Sequence, residues 1–227
     1  MFNLYPVDRY LQIQVLDKYA EKLISLPEEI EQLWKKKIEH NTHFEGDIFN
    51  VVEIEKDHIS GYFIPYKFFW GLHSFPHHKA LSFIKPLGIS GFTKCKDKIL
   101  IGKRSETVTQ FPGYFEFAPS GSLSSEWRTG NIVDFSGCLI NELEEETGIT
   151  SSHVTELFPF ILIEDVEKRV LDLCVEIQTD EKTERLIRTS SEYRELYWIE
   201  ESGLAHDSSI DKWNPISLEI RSFIHPL

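Results

Sequence analysis

The sequence predicts a mixed α/β fold, in which helices pack against a sheet whose strands run in both directions. Segments with the apolar alternation of β-strands lie on both sides of one helical segment, residues 133–147, and a second helix is predicted near residue 215. The chain has 227 residues, of which 41% are hydrophobic and 13% aromatic, so it can form a sizeable core. We therefore expect one large domain, or one domain with a smaller module.

The first forty residues are predicted to be helical. Residues Ser25–Glu28 have the spacing of a capping box, with a proline in the first turn, where proline is tolerated. Ile30, Leu33, Trp34 and Ile38 then follow at helical intervals and form one apolar stripe. This stripe is the face that we expect the helix to bury.

Strands are predicted in most of the remaining chain. Residues 47–54 and 59–64 have the pattern of a hairpin whose turn lies at residues 56–58. Further strands are predicted at residues 87–93, 98–103, 115–118, 157–163, 170–178 and 193–199, and a final helix is predicted to begin at Asn214-Pro215. Because the pattern becomes more regular from residue 86, we expect an N-terminal α+β module at 1–85, packed on a larger domain at 86–227.

The composition of the chain argues against several classes of protein. No run of eighteen apolar residues is present, and the first ten residues mix acidic and basic side chains, so neither a membrane span nor a secretion signal is expected. The three cysteines are widely spaced and fit neither a disulfide framework nor a zinc site. We therefore expect a cytoplasmic protein with reduced thiols. The aromatic residues at 62–70 are expected in a core or module interface, and they are also a candidate homodimer surface.

The net charge of −13 is concentrated in one stretch of the chain. Residues 1–132 carry 16 acidic and 16 basic side chains, whereas residues 133–202 carry 18 acidic and 6 basic side chains, a net of −12. A protein that binds nucleic acid through its backbone needs a basic face, so no nucleic-acid partner is expected. A local group of bases at residues 94–104 could instead meet the phosphates of a small molecule.

Three glutamates of the central helical segment are the strongest candidates for chemistry. Glu142, Glu145 and Glu146 are spaced i, i+3 and i+4, so they share one face of a helix, and Gly148 stands where a helix C-terminal glycine is expected. Carboxylates this close repel one another, and the negative end of the helix dipole adds to the cost. A bound Mg²⁺ or Mn²⁺ would remove that cost. A solvated acidic surface is the alternative explanation.

The context of these glutamates resembles the Nudix box of the Nudix hydrolase superfamily, G-x5-E-x7-R-E-U-x-E-E-x-G-U, where U is aliphatic. Glu142-Leu143, Glu145-Glu146 and Gly148-Ile149 match six defined positions in order, and Gly121, after the strand-like Phe115–Ala118, is similar to the first glycine. Residues 99–105 and 191–199, the latter containing a tryptophan, are similar to other strands of the family. The resemblance covers residues 86–203 and implies an α/β/α sandwich with a mixed sheet.

The sequence departs from the Nudix pattern at three points. Gly121 and Asn141 are 20 positions apart where the pattern has 14, which implies an insertion of about six residues within Ser122–Asn131. The first glutamate of the pattern falls on Trp127 by strict count, and Glu126 is the nearest candidate. The pattern's arginine is replaced by Asn141, which places the rate and the carboxylate geometry in question.

The resemblance implies a metal-dependent hydrolase that cleaves a phosphoric anhydride, a pyrophosphatase. It implies that Glu142, Glu145 and Glu146 are catalytic residues that bind Mg²⁺, with Mn²⁺ as an alternative. The remaining candidates are residues for substrate binding and for the general base: Arg104, Lys103 and Glu116 for the substrate, and Glu164, Asp165 and Glu192 for the base.

The flanking residues resemble a Nudix subgroup that includes UDP-glucose pyrophosphatases. The similar segments are 86–91, 102–105 and 111–113, together with Phe44-Glu45-Gly46 and the aromatic region 66–70. This implies a nucleoside diphosphate sugar as the small-molecule substrate, cleaved to a nucleoside monophosphate and a sugar phosphate. ADP-ribose, other nucleoside diphosphate derivatives and a coenzyme remain competing substrates. A catalytically silent module that binds a nucleotide or a protein, and a diphosphate isomerase, are the alternative functions.

Overall fold

The computed structural model describes residues 1–17, 26–40, 46–108, 110–204 and 212–224. The described chain forms two mixed sheets and five α-helices, which confirms the predicted mixed α/β class. The thirteen strands, numbered β1 to β13 in chain order, are Phe2–Pro6, Gln12–Val15, Asp47–Ile54, His58–Pro65, Leu87–Cys95, Lys98–Arg104, Phe115–Phe117, Ser120–Ser122, Arg128–Thr129, Ile132–Val133, Val154–Asp165, Val170–Thr179 and Tyr193–Glu200. The helices, α1 to α5, are Glu28–His40, Tyr66–Ser74, Phe135–Thr147, Glu201–Leu204 and Pro215–Ile224.

The larger sheet has eight strands in the order β1-β11-β12-β5-β6-β13, with β7 paired to β6 and β8 paired to β5. Only the central β12–β5 pair is parallel among these described pairings, and the others are antiparallel. Because β5 and β12 carry mostly apolar, buried residues, they form the centre of the core. The predicted strands from residue 87 to residue 199 are all present, within a few residues of the expected bounds.

The smaller sheet has five strands in the order β3-β4-β2-β10-β9. The β3–β4 hairpin is the one predicted at residues 47–64, and its turn lies at residues 55–57. Strand β9 lies within Ser122–Asn131, the segment predicted to contain the insertion, and β10 follows it directly and pairs with β9 and β2. The extra residues are thus part of a short hairpin that extends the smaller sheet.

The prediction that the first forty residues are helical is wrong for their first part. Strand β1 joins the edge of the larger sheet beside β11, and β2 lies parallel to β4 in the smaller one. Helix α1 begins only at residue 28, where it buries Ile30 and Trp34, while Leu33 remains 43% exposed. Ser25, the predicted cap, lies outside the described residues.

Each of the two sheets contains strands from both sides of the proposed division at residue 85. Strand β1, from the N-terminal part, belongs to the larger sheet, whereas β9 and β10, from the later part, belong to the smaller one. The aromatic residues Tyr62 and Phe68 are buried in a separate cluster with Ile30, Ile64 and Leu72. An N-terminal module with its own small core therefore remains a proposal, but its sheet is built from both parts of the chain.

Helix α3 is the element that positions the three glutamates. Its first turn is capped by Asp134, whose carboxylate accepts a hydrogen bond from the backbone N–H of Gly137. It ends at Gly148, which has a φ of 78°, a left-handed conformation that glycine adopts at little cost. Leu139 and Leu143 are fully buried and anchor the helix in the core, so its glutamate face is fixed.

The final helix, α5, begins as predicted. The side chain of Asn214 accepts a hydrogen bond from the backbone N–H of Ile216, and Pro215 occupies the first helical position. The three cysteines are free thiols with buried side chains. None of the described helices combines the length and the apolar character that crossing a membrane requires.

Candidate metal and phosphate site

A cavity of about 660 Å³ lies where α3 meets β5, β7 and β8. Its volume is in the range of small-molecule sites. All three helix glutamates, Glu142, Glu145 and Glu146, line it, as do Arg104 and Glu116. The structure therefore brings together five residues that the sequence singled out from separate segments.

Glu146 is the most enclosed of the three glutamates, with 5% of its surface exposed. The backbone N–H of Ser120 donates a hydrogen bond of 3.0 Å to its Oε2 atom, which holds the carboxylate toward β8. Burial raises the pKa of Glu146 well above its usual value, in spite of that hydrogen bond, and the charge of Glu142 raises it further. Burial and the charge of Glu145 likewise raise the pKa of Glu142 to about 7.

These carboxylates meet the electrostatic requirements of a cation site. Neither Glu142 nor Glu146 has a basic partner among the described residues, so their charge is not neutralised within the fold. Their ligand atoms are not drawn tightly together: in the described chain, only Glu55, Asp57 and His58, in the exposed β3–β4 turn, bring three such atoms within 4.8 Å. Hard oxygen donors with an unsatisfied negative charge fit Mg²⁺ or Mn²⁺.

Gly121 allows Glu142 to lie against β8. A Cβ atom at position 121 would stand 2.6 Å from Glu142 Oε1, closer than carbon and oxygen can approach. We expect Gly121→Ala to displace this carboxylate and to weaken Mg²⁺ binding about tenfold or more, by analogy with the loss of supporting contacts at metal sites. The free energy of unfolding should change little, because the close contacts are all with one flexible side chain, that of Glu142 from its Cγ atom outward.

The measurement that checks this prediction is Mg²⁺ titration followed by a thermal melt in EDTA. Gly203→Ala is a suitable control, since a Cβ atom there would meet only Glu200 Cβ at 4.0 Å. An unchanged Mg²⁺ affinity in Gly121→Ala would show that Glu142 does not hold the ion.

Arg104 and Glu116 form a buried ion pair at the wall of the cavity. The Nη1 atom of Arg104 donates to Glu116 Oε1 at 2.5 Å, and the side chains are 12% and 3% exposed. The Oε1 atom also accepts from Tyr193 and Ser120, and Oε2 accepts from Asn214. Glu116 therefore has its oxygens occupied by four donors, which suits a residue that holds Arg104 in place rather than a metal ligand.

The other sequence candidates are placed in different surroundings. Glu192 lines the cavity, 3.5 Å from Arg104 Nη2, with a side chain that is 44% exposed. Glu164 is instead held by Asn3, Tyr5 and Lys85 at the β1 edge, outside the cavity lining. The remaining candidates, Lys103, Asp165 and Glu126, also lie outside the cavity lining. The ammonium of Lys103 lies 4.8 Å from the centre of the Phe115 ring. Asp165 accepts hydrogen bonds from the backbone of residues 167–168, and Glu126 is exposed beside Ser124.

Asn141, which replaces the arginine of the Nudix pattern, also has a local partner. Its Nδ2 atom donates to Glu145 Oε1 at 3.0 Å, within the same helix. Glu145 is exposed, unlike Glu142 and Glu146. Asn141 thus orients one of the three carboxylates, while the only arginine described beside the cluster, Arg104, comes from β6.

Sequence analysis missed four polar residues of the cavity region: Ser120, Asp172, Tyr193 and Asn214. Tyr193 lies within a predicted strand, and its fully buried ring packs so closely on β6 that a Cβ atom at Gly102 would meet it at 2.5 Å. Asn214 was assigned only as a helix cap. Asp172 carried a signal that could have found it, since it is a single acid within the apolar run Val170–Val175.

The raised pKa values predict how stability depends on pH and Mg²⁺. A carboxyl group whose pKa is higher in the folded than in the unfolded protein takes up protons on folding, so the free energy of unfolding falls as pH rises. For Glu142 the fall spans the interval from its usual value of 4.5 to about 7 and amounts to at most about 3 kcal/mol. We expect Tm in EDTA to decrease from pH 5 to pH 8, and Mg²⁺ to raise Tm more at pH 8 than at pH 5. A Mg²⁺ effect of equal size at both values would contradict the prediction.

Comparison with known proteins gives matches among solved structures only. No protein family's sequence profile matches the chain, and no curated protein matches it. The protein DR0079 from Deinococcus radiodurans is 14% identical, with a TM-score of 0.50 over 76% of this chain and 96% of that one. The NUDIX domain of Shewanella oneidensis NrtR, solved with ADP ribose, is 10% identical over 67% and 94% of the chains, with a TM-score of 0.47. A NUDIX-family hydrolase from Clostridium perfringens is 15% identical over 60% and 93%, with a TM-score of 0.39.

The structural similarity concerns the fold. The match to DR0079 extends over three quarters of this chain, which agrees with the mixed α/β architecture described above.

Proposed function

We propose that this protein is a Nudix-type hydrolase that cleaves a diphosphate linkage in a nucleoside diphosphate derivative. The observation that carries the proposal is the position of Glu142, Glu145 and Glu146, which line one cavity beside Arg104. Among the described residues, no basic side chain pairs with Glu142 or Glu146, the two more buried of the three. The order of these residues in the sequence matches the second half of the Nudix box. A structural role for the three carboxylates would leave their mutual repulsion unexplained.

The residues of the cavity have different proposed roles in the reaction. Glu142, Glu145 and Glu146 would hold Mg²⁺, which when bound supplies charge neutralisation for the diphosphate and acidifies a water. Ser120 fixes Glu146 through its backbone N–H, and Gly121 leaves room for Glu142.

Arg104 and Glu192 are the residues that we assign to the substrate and to the attacking water. Glu116, Ser120 and the backbone carbonyl of Gln110 fix the guanidinium of Arg104, and its Nη2 atom, which also contacts Glu192, has an N–H left that can bind a phosphate oxygen. Glu192 is the better of the general-base candidates, because it is partly exposed at the cavity whereas Glu164 is paired elsewhere. Its carboxylate would accept the proton of the water that attacks phosphorus.

The finer proposal is that the substrate is a nucleoside diphosphate sugar such as UDP-glucose. Its support is the resemblance of residues 86–91, 102–105 and 111–113 to the corresponding Nudix subgroup. Pro86, Gly88, Arg104 and Phe111, which belong to these segments, line the cavity. The products would be a nucleoside monophosphate and a sugar phosphate.

The experiment that tests the function is a substrate panel with and without metal. Nucleoside diphosphate sugars, ADP-ribose, dinucleoside polyphosphates and nucleoside triphosphates are each incubated with Mg²⁺ or with EDTA, and monophosphate release is measured. EDTA-sensitive cleavage of one class would establish the activity and its substrate. Absence of turnover across the panel would contradict the proposed hydrolysis.

A second candidate function is nucleotide binding without hydrolysis. Two observations favour it: Asn141 stands where the Nudix pattern has arginine, and within the described part of the chain its side chain bonds to Glu145 alone. The same panel decides between the two, because a silent module would bind one class tightly and release no monophosphate. In that case, Asn141→Arg is the first variant to examine for a gain of turnover.

A further inference from the structure

Asp172 is a half-buried acid that the proposed reaction does not use. It lies on β12, paired in register with Gly88 of β5, and it lines the same cavity as the helix glutamates. Its Oδ1 atom is enclosed and has no hydrogen-bond partner in the described structure. A buried carboxylate oxygen without a donor is costly, and native proteins rarely keep one without a reason. Oδ1 is thus short of a donor on its enclosed side, while the part of the side chain that lines the cavity can accept one from a ligand.

The strand beside Asp172 is shaped to leave space at its carboxyl group. A Cβ atom at Gly88 would stand 3.1 Å from Asp172 Oδ2, so any larger residue at this position would press on the carboxylate. Burial raises the pKa of Asp172 to about 7, while a hydrogen bond from Ser90 lowers it and the charge of Glu116 raises it. An N–H donor that binds the carboxyl group from the cavity would favour its ionised form.

The cavity that Asp172 lines also has apolar and aromatic residues, which suit a flat ring. Val170 lies on β12 two residues before Asp172, Pro86 immediately precedes β5, and Ile48, Tyr66 and Phe69 line the cavity from the smaller sheet and α2. Base–aromatic packing needs such a surface together with a few polar groups that read the ring edge.

Asp172 and the helix glutamates lie at strands that are two positions apart in the larger sheet. Asp172 pairs with Gly88, which in turn pairs with Ser122 on β8, next to the Gly121 that contacts Glu142. Two strand spacings separate β12 from β8, which is about 10 Å. A ribose can bridge that gap between a phosphate at the glutamates and a base at Asp172.

We propose that this end of the cavity is the nucleobase subsite, in which Asp172 accepts a hydrogen bond from an N–H group of the base. The assignment rests on the proposed function, since it places the phosphates at Glu142, Glu145 and Glu146. Asp172 is then a specificity residue: it favours the base whose N–H faces it and disfavours bases that present an acceptor at that edge.

The test compares the binding of AMP, GMP, CMP and UMP to wild type and to Asp172→Asn. These nucleotides contain no anhydride bond, so calorimetric titrations can be made with Mg²⁺ present throughout. We expect wild type to prefer one base, and Asp172→Asn to lose about tenfold or more in affinity for it, because a neutral amide oxygen is a weaker acceptor than a carboxylate and only one of the two amide orientations presents it. The control is Glu176→Gln, an acid on the same strand that lies outside the cavity lining and is expected to change nothing.

Three results would overturn the subsite: equal binding of all four nucleotides to wild type, no binding of any, or an unchanged preference in Asp172→Asn. If Asp172→Asn does not fold, Gly88→Ala shifts the same carboxylate by a few tenths of an ångström and should weaken the preference in the same direction. The outcome is separable from that of hydrolysis. A base preference that depends on Asp172 without turnover of any substrate would keep the subsite and refute the hydrolase, whereas turnover with an unaffected preference would do the opposite.

Discussion

Glu146→Gln is expected to abolish Mg²⁺-dependent hydrolysis while making the metal-free protein more stable. The substitution removes the charge of the most buried glutamate but keeps its shape and the hydrogen bond from the Ser120 N–H. We expect kcat to fall by at least about 100-fold, since a metal ligand matters at least as much as the groups that support it. At pH 8 in EDTA the free energy of unfolding should rise by about 1–3 kcal/mol, because burying a neutral amide costs less than burying an unpaired carboxylate.

The opposite signs of the two effects make this prediction specific. Glu144→Gln is the matched control, as Glu144 belongs to the same helix but is exposed and lies outside the cavity lining. It should change neither kcat nor stability appreciably. Wild-type turnover in Glu146→Gln would remove the helix cluster from the reaction, and a loss of stability in EDTA would show that Glu146 has a structural role.

Arg104→Met is expected to produce the largest loss of stability. The substitution leaves Glu116 buried without its cation, and removing one partner of a buried ion pair costs about 3–5 kcal/mol. The double variant Arg104→Met/Glu116→Gln should recover much of this loss, since no unpaired charge remains in it. Urea unfolding of the single and double variants measures both values.

An exposed ion pair provides the control for this prediction. Arg194 pairs with Glu106 at 2.9 Å, but the side chains are 40% and 64% exposed. Arg194→Met should therefore cost no more than about 1 kcal/mol. Equal losses in Arg104→Met and Arg194→Met would contradict the view that burial of Glu116 sets the cost.

The parts of the fold that were predictable depend on local patterns. The spacing of Glu142, Glu145 and Glu146 and the glycine at 148 placed three carboxylates on one helix face, and the structure shows that face at the cavity. Long apolar segments such as β5 and β12 are predictable because most of their residues are apolar and buried. Asn214-Pro215 marked the start of α5 through side-chain capping, which is also local.

The remaining features depend on contacts between distant segments. Strands β1 and β2 have only five and four residues, and their partners in β11, β4 and β10 lie far along the chain, so no local period reveals them. Glu164 and Glu192 look alike in sequence, but tertiary pairing with Lys85 and Tyr5 occupies only the first. Glu116 could be identified, but its role as the partner of Arg104 depends on three strands and a helix cap.

The exchange of strands between the two sheets has a consequence for how the chain folds as it is synthesised. Domains usually fold from the N-terminus as each one leaves the ribosome. Here the smaller sheet is incomplete until β9 and β10 have been made, and β1 has no partner until β11 follows, with Phe2 pairing to Asp165. The strands within the first 85 residues therefore have unpaired edges until most of the protein has been translated. Nascent chains of this protein should depend on protection from chaperones for longer than a protein of similar length whose domains are consecutive.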